Sequence, residues 1–399
     1  MIKPSKRSSQ LIASPIRKFW PLAVAAKKQG IEVLKLNIGD PDLSLPQEIQ
    51  KSLRKINLKN LGYAPSAGLI ENVDAWRTYY QTFGLNFERE NIIPTTGATE
   101  GILFSLLTVA DPGEEILVFE PLYTNYKALA GLANVILKPI TLKLENNFQL
   151  PPEGEIIKKI SAKTRAIIII NPDNPTGKVW SVKELKTIIK IAKKYNLYII
   201  ADETYREIVF TGRPGSILNL AGARERVILL DSVSKRFSIP GMRIGIIASY
   251  NKIVMQTILK LAMARLSAPT IGQLLTISAL KNSRRYTRKI AAEYRRRSET
   301  VQAGLRKIPG VTYNQPAGAF YQVIKLPVAK ADDFIRFMLE DFHYQSQTLL
   351  VAPMEDFYLT PGLGQQEIRL AYVLESKKLQ QAITILKLGL EQYLGQKPK

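Results

Sequence analysis

The 399-residue chain reads as an α/β protein: a large domain with a mostly parallel sheet sandwiched by helices, then a smaller α+β domain. Three observations predict this. Strand-sized runs rich in β-branched residues and leucine alternate with helical patterns through the middle of the chain, the signature of layered α/β folds. Polar clusters follow the ends of several of those runs. Beyond residue 281 the alternation gives way to two further strands and long helices. The length exceeds what one simple core usually supports, which also argues for two domains.

In order, the candidate strands of the first part are 115–119, 165–170, 197–201, 227–230 and 244–248. A helix over 181–195 opens on a capping box, in which Ser181 and Glu184 satisfy each other's backbone N–H groups. A basic helix near 281–307 is the connector. After it come strands at 320–325 and 367–373, helices at 331–341 and 377–394, and a Pro-Gly loop at 360–364.

Composition narrows the chemistry. There is no cysteine, which excludes disulfides, thiolate metal sites and a cysteine nucleophile. His343 is the one histidine, so zinc sites built on histidine and Ser-His-Asp triads are set aside, and no metal is expected. Proton transfers fall to Lys, Tyr, Asp or Glu. The basic segment 1–9 lacks the apolar centre of a signal peptide, and no stretch approaches a membrane span. The expected location is the cytoplasm. The net charge of +22 raises the question of a polyanion partner. Its densest run, Lys281 to Lys307, interleaves charge with Ile290, Ala291, Tyr294, Val301 and Leu305. That is a solvated helix face rather than a nucleic-acid motif, and nucleic acid is not expected as a partner.

Four clusters sit where an open α/β sheet gathers its ligands, beyond the carboxyl ends of strands. Ser232-Val-Ser234-Lys235 follows the 227–230 strand. A lysine there would be desolvated and nucleophilic, and Arg243, eight residues on, offers a planar fork suited to phosphate. Asn171-Pro-Asp-Asn174-Pro-Thr-Gly177 is a rigid turn that holds Asn174. Asp202-Glu-Thr-Tyr205 sets a carboxylate where it could keep a pyridine nitrogen protonated. Thr95-Thr-Gly97-Ala98-Thr99-Glu100-Gly101 opens a helix with small residues, an anion site made of backbone N–H groups. Singly, each admits a plainer reading: a surface lysine, a strand-ending turn, a helix cap, a small-residue helix start. Together they supply what pyridoxal 5′-phosphate requires.

With these motifs in this order, the chain resembles the class I/II aminotransferases, the aspartate aminotransferase-like family of fold type I, over nearly its whole length. The resemblance implies a seven-stranded-type sheet and three divisions: 1–46 as an N-terminal arm and part of the small domain, 47–282 as the large cofactor domain, and 283–399 as the small C-terminal domain. It implies that Lys235 carries pyridoxal phosphate as a Schiff base and shuttles the substrate proton. By the same resemblance Asp202 pairs with the ring nitrogen, Asn174 and Tyr205 bond the phenolic oxygen, and Tyr123, in Glu120-Pro-Leu-Tyr123, stacks on the ring. Ser232, Ser234, Arg243, Gly97, Ala98 and Thr99 meet the phosphate. Tyr63 reaches the phosphate of a partner subunit, which implies a homodimer. Arg369 and Gly39 hold the substrate α-carboxylate, and Ser14-Pro-Ile-Arg17 belongs to an opening helix that caps the site.

The activity implied is transfer of the α-amino group of an L-amino acid, of aspartate/glutamate type by default, to a 2-oxo acid. The alternatives are another reaction of the same cofactor, such as a C–S β-lyase, and, more remotely, a non-enzymatic nucleic-acid binder. One departure bears on substrate: the loop 354–362 stands where the family has a short glycine-rich turn.

Overall fold

The structure, a computed structural model, describes residues 2, 5–9, 11, 14–56, 61–281 and 283–395. Residues 1, 3, 4, 10, 12, 13, 57–60, 282 and 396–399, among them part of the basic segment 1–9, lie outside that set. In chain order the strands are β1 (Glu32–Lys35), β2 (Ile92–Thr95), β3 (Glu115–Glu120), β4 (Ile136–Thr141), β5 (Thr164–Ile170), β6 (Tyr198–Asp202), β7 (Val227–Ser232) and β8 (Gly245–Ala248). There follow β9 (Thr312–Tyr313), β10 (Tyr321–Lys325), β11 (Gln347–Leu350), β12 (Ala352–Pro353) and β13 (Glu367–Ala371).

Seven strands form one sheet in the order β2-β8-β7-β6-β5-β3-β4. Only β8 runs against the others. Its central strands bury both faces, and the side-chain alternation of a strand shows how. Ile167, Ile169, Ile199, Ala201, Val227, Leu229 and Ile246 enter one core cluster. Their neighbours Ala166, Ile168, Ile200, Ile228, Leu230 and Ile247 enter the cluster on the other face. The helix Val182–Lys194 covers the first face with Leu185, Ile188, Ile189 and Ala192, at helical spacing. Its capping box is formed as expected from Ser181 and Glu184. The helix Gly97–Val109 covers the second face through Ile102, Leu106 and Val109.

Two strands of this sheet have no counterpart among the candidates read from the sequence, β2 and β4, and they are its two edges. Each holds a proline, Pro94 and Pro139. Proline has no N–H for a ladder and is tolerated at an edge, and it interrupts the apolar run by which a strand is read.

A four-stranded antiparallel sheet, β12-β13-β10-β9, and a parallel pair, β1-β11, share a third core cluster with the helices Ser283–Leu305, Ala331–Glu340 and Ser376–Gly395. β1 thus ties the N-terminal segment to C-terminal sequence. The basic helix Ser283–Leu305 buries Ile290, Tyr294, Val301 and Leu305, with Ala291 at its margin. Arg297 departs from the solvated-face expectation. It is buried, donates to Asp42, Glu293 and the Tyr372 carbonyl, and so anchors the helix to the N-terminal segment. Among the described residues, no helix is long and apolar enough to cross a membrane.

Candidate active site

Strand direction assembles the site. β2, β3, β5, β6 and β7 all end on one rim, and the antiparallel β8 begins there. The segments leaving Thr95, Glu120, Ile170, Asp202 and Ser232 therefore converge with Arg243, which shortly precedes β8. They line a cavity of about 450 Å³, closed on the other side by Gly39, Tyr321 and Arg369. Of the residues singled out in the sequence, Ala98, Thr99, Tyr123, Asn174, Asp202, Tyr205, Ser232, Ser234, Lys235, Arg243, Gly39 and Arg369 line it, as do Ser14 to Arg17. Gly97 lies just behind, and Tyr63 is 83% exposed and outside its own subunit's cavity.

Lys235 rides on a one-turn helix, Val233–Arg236, capped by Ser232, whose Oγ accepts from the Ser234 amide at 3.1 Å. Its Nζ donates to the Gly39 carbonyl at 2.7 Å, and among the described residues no carboxylate bonds it. Burial lowers its pKa to about 8, with Asp40 pulling the other way. Gly39 is constrained as well: a Cβ there would collide with the Tyr321 hydroxyl.

Asp202, at the end of β6, is buried. Tyr126 Oη donates to it from 3.3 Å and the Thr204 amide from 3.1 Å. Burial is the largest influence and pushes its pKa up, and among the described residues no cation pairs with it. Arg369, in the middle of β13, is 1% exposed. It donates to Asn174 Oδ1 at 2.9 Å and to the Asn37 carbonyl at 2.6 Å, while its Nε finds no partner among the described residues. The ring of Tyr321 lies 4.5 Å from its guanidinium. Among the described residues no carboxylate pairs with it, and desolvation lowers its pKa. Tyr205 shares a 2.8 Å hydroxyl contact with Tyr321. Burial lifts the Tyr205 pKa well above its usual value and that of Tyr123 to about 12, so both phenols keep their protons at neutral pH.

The expected anion cradle also has physical content. Gly97 has φ +69°, and a Cβ on it would fall 2.6 Å from Arg243 Nη2. Gly245 lies under the same turn: its Cβ would meet Ala98 N at 2.7 Å. The two glycines let Arg243 and the start of the helix Gly97–Val109 lie against each other. Ser232 Oγ donates to the Ser234 Oγ at 2.7 Å beside them.

Beneath Lys235 lies a buried polar network that sequence reading missed. Asp231 accepts from Tyr80, Arg206 and Arg236; Arg206 also pairs with Glu203, and Glu207 accepts from Tyr79. Tyr321, Tyr126, Lys127 and Asp356 were missed too. Tyr126 and Lys127 continue the helix that begins just after Tyr123, so the i,i+3 and i,i+4 positions from Tyr123 were the available signal. Tyr321 and Asp356 reach the cavity only through tertiary packing.

The comparisons agree with this geometry. The model of the family described as aminotransferase class I and II matches residues 31–386. An aspartate aminotransferase of Pyrococcus horikoshii is 30% identical over 90% of this chain and 91% of its own. An aromatic-amino-acid aminotransferase 2 of Thermococcus litoralis is 30% identical over 95% and 96%. Among solved structures, an alanine aminotransferase from Pyrococcus furiosus matches with a TM-score of 0.89 at 27% identity, over 98% of this chain and all of that one. Fold and matches make this protein a pyridoxal-phosphate-dependent transferase of fold type I. The chain belongs to the class I and II aminotransferases.

Proposed function

We propose that the protein moves the α-amino group of an L-amino acid, of aspartate or glutamate type, to a 2-oxo acid, with its cofactor held covalently on Lys235. One observation carries the reading: three desolvated ionisable groups line one cavity without partners of opposite charge among the described residues. They are the Lys235 amine, the Asp202 carboxyl and the Arg369 guanidinium. A ligand pair with an aldehyde, a basic ring nitrogen and a carboxylate answers all three, and the Arg243 cradle answers a phosphate.

When bound, pyridoxal phosphate supplies an electron sink that makes the proton on the substrate's α-carbon removable. The chain's own groups do the rest. Arg243, Ser232, Ser234 and the amides of Gly97, Ala98 and Thr99 hold the phosphate. Tyr123 offers an aromatic face to the ring, and Asp202 holds the proton on the ring nitrogen. Asn174 already accepts from Arg369 through its oxygen, which leaves its NH2 to donate. With the Tyr205 hydroxyl it bonds the phenolic oxygen. Arg369 forks onto the α-carboxylate and Gly39 contributes a backbone contact. Lys235, its pKa lowered to about 8 by burial, would serve once the substrate amine has displaced it from the cofactor, moving the proton from the substrate α-carbon to the cofactor's C4′ carbon.

On the same reading the enzyme is a cytoplasmic homodimer divided as 1–46, 47–282 and 283–399, with Tyr63 completing the partner's phosphate site. Its 83% exposure, beside the exposed Leu61, suits a side chain that finds its contacts on a second copy. Support for aspartate as the donor comes from relatives such as the aspartate aminotransferase of Pyrococcus horikoshii. The test is the absorption spectrum of the purified protein as single L-amino acids are added. A cofactor band that converts to the amine form with aspartate or glutamate is the expected result, and Lys235→Ala should lose both band and turnover. Pyruvate and ammonia from one substrate, with no oxo-acid acceptor needed, would make it a lyase instead.

A further inference from the structure

The cavity mouth is bordered by a loop that the chemistry above does not use. Between β12 and β13 the chain crosses from the smaller sheet to the large one and back, and Asp356 of that crossing lines the cavity. The loop is fastened to the large domain at Glu120, the last residue of β3.

Glu120 has no exposed surface. Its Oε2 accepts from the amides of Leu359 at 2.6 Å and Thr360 at 3.1 Å. Its Oε1 accepts from the hydroxyls of Thr360 at 2.6 Å and Thr141 at 2.7 Å. Three of the four donors thus belong to the loop. Two more bonds run alongside: the Leu122 amide donates to the Phe357 carbonyl, and Lys127 Nζ to the Tyr358 carbonyl, each at 2.8 Å. A buried carboxylate short of donors is costly, and here three of the four arrive only when the loop is docked. The carboxylate therefore fixes the loop strongly.

The fixed loop meets the site twice. Phe357, fully buried, lies under the Arg369 guanidinium at 5.1 Å. Asp356 and Lys127 both line the cavity, as does Arg17. A hydrogen-bonded knot of this kind would hold the loop anywhere along its length. This one holds the segment whose Asp356 lines the cavity.

We propose that Glu120 is a positioning residue: by clasping Leu359 and Thr360 it fixes the 354–360 wall, and that wall selects among amino donors by their side chains. This deepens the aminotransferase reading and rests on it. Glu120 touches no reacting atom and acts through Asp356, Phe357 and Lys127.

The test uses the holoenzyme and three donors of different side chain: aspartate, alanine and phenylalanine. Glu120→Ala removes the acceptor of all four bonds. It should change the ratio of kcat/KM between donors by about tenfold, mainly through KM, since the contacts by which a pocket tells one side chain from another are worth at least this order. Amide hydrogen exchange at Leu359 and Thr360 should rise. Glu120→Gln should restore the wild-type ratios: its carbonyl can accept from the two amides while its NH2 donates to the two threonine hydroxyls. If Glu120→Ala does not fold, Thr360→Val removes one clasp and Thr360→Ser keeps it, and the same contrast is expected between them. Equal loss for every donor, or unchanged ratios with exchange at Leu359 and Thr360 raised, would overturn the proposal. A wild-type protein that converts no amino acid at all overturns the underlying reading, whereas failure of the clasp alone leaves wild-type transamination intact.

Discussion

Lys235 is a residue that stability and function pull in opposite directions. Its pKa falls from 10.5 to about 8 on burial. Between those values the unfolded chain holds a proton that the folded chain releases, so stability rises with pH across that window. Below pH 8 the buried ammonium costs about 3 kcal/mol, and the cost is gone above about pH 10.5. Lys235→Met should therefore stabilise the cofactor-free protein by about 2–3 kcal/mol at pH 7. The gain should shrink between pH 8 and 10.5, as read from denaturant midpoints; a gain that does not change with pH would rule out the buried ammonium as its source. Arg369 is the converse case, a buried cation whose fork is the point. Arg369→Lys keeps the charge but cannot make two parallel bonds, and should lower kcat/KM for every donor by about 30- to 100-fold. Cofactor affinity should be unchanged, which fluorescence titration with pyridoxal phosphate would show. Tyr123, Asn174, Asp202, Tyr205, Ser232 and Ser234 were legible because each sits one to four residues past an apolar run, and Lys235 five past one. Tyr321 was not. It is the first residue of β10, where alternation marks it as a strand position and says nothing of the Gly39 backbone and Tyr205 hydroxyl that it meets.

At the scale of elements, the site depends on how a helix begins. The helix Gly97–Val109 starts on a residue with φ +69°, a conformation that side chains other than glycine's adopt only with strain. Gly97→Ala would add that strain and drive a methyl group against Arg243. The helix should still form, because Ile102, Leu106 and Val109 hold it to the sheet. The expected result is a folded protein with cofactor affinity at least about tenfold weaker, the equivalent of one misplaced charge-assisted bond. A variant that binds pyridoxal phosphate normally would show that the cradle does not need this glycine. The strands divide in the same physical way between legible and not. β3, β5, β6 and β7 are buried on both faces and read as unbroken apolar runs. β2 and β4 carry Pro94 and Pro139 at the sheet edges, where position, not pattern, makes a proline acceptable. The two-residue strands β9 and β12 are too short for any periodicity to register.

For the whole molecule, the question of charge and the question of assembly separate cleanly. Several of the 56 basic residues are spent inside: Arg206, Arg236, Arg297 and Arg369 are all buried, and three of them are ion-paired. The basic run at 281–307 is accordingly carried largely by a helix, Ser283–Leu305, with Arg297 as its internal anchor. Assembly is different, because Tyr63 lies outside the cavity it is assigned to serve. If each site takes Lys235 from one copy and Tyr63 from the other, the two lesions can complement. A Lys235→Ala subunit paired with a Tyr63→Ala subunit has one doubly damaged site and one intact site, since the intact Lys235 faces the other subunit's Tyr63. Random co-assembly of the two variants makes about half the dimers mixed, so about a quarter of wild-type activity should appear. Neither variant alone should reach that level, provided Tyr63→Ala is itself strongly impaired. Activity of the co-expressed mixture no greater than the average of the two separate variants would place Tyr63 in its own subunit's surface alone, and would leave each chain to complete its own phosphate site.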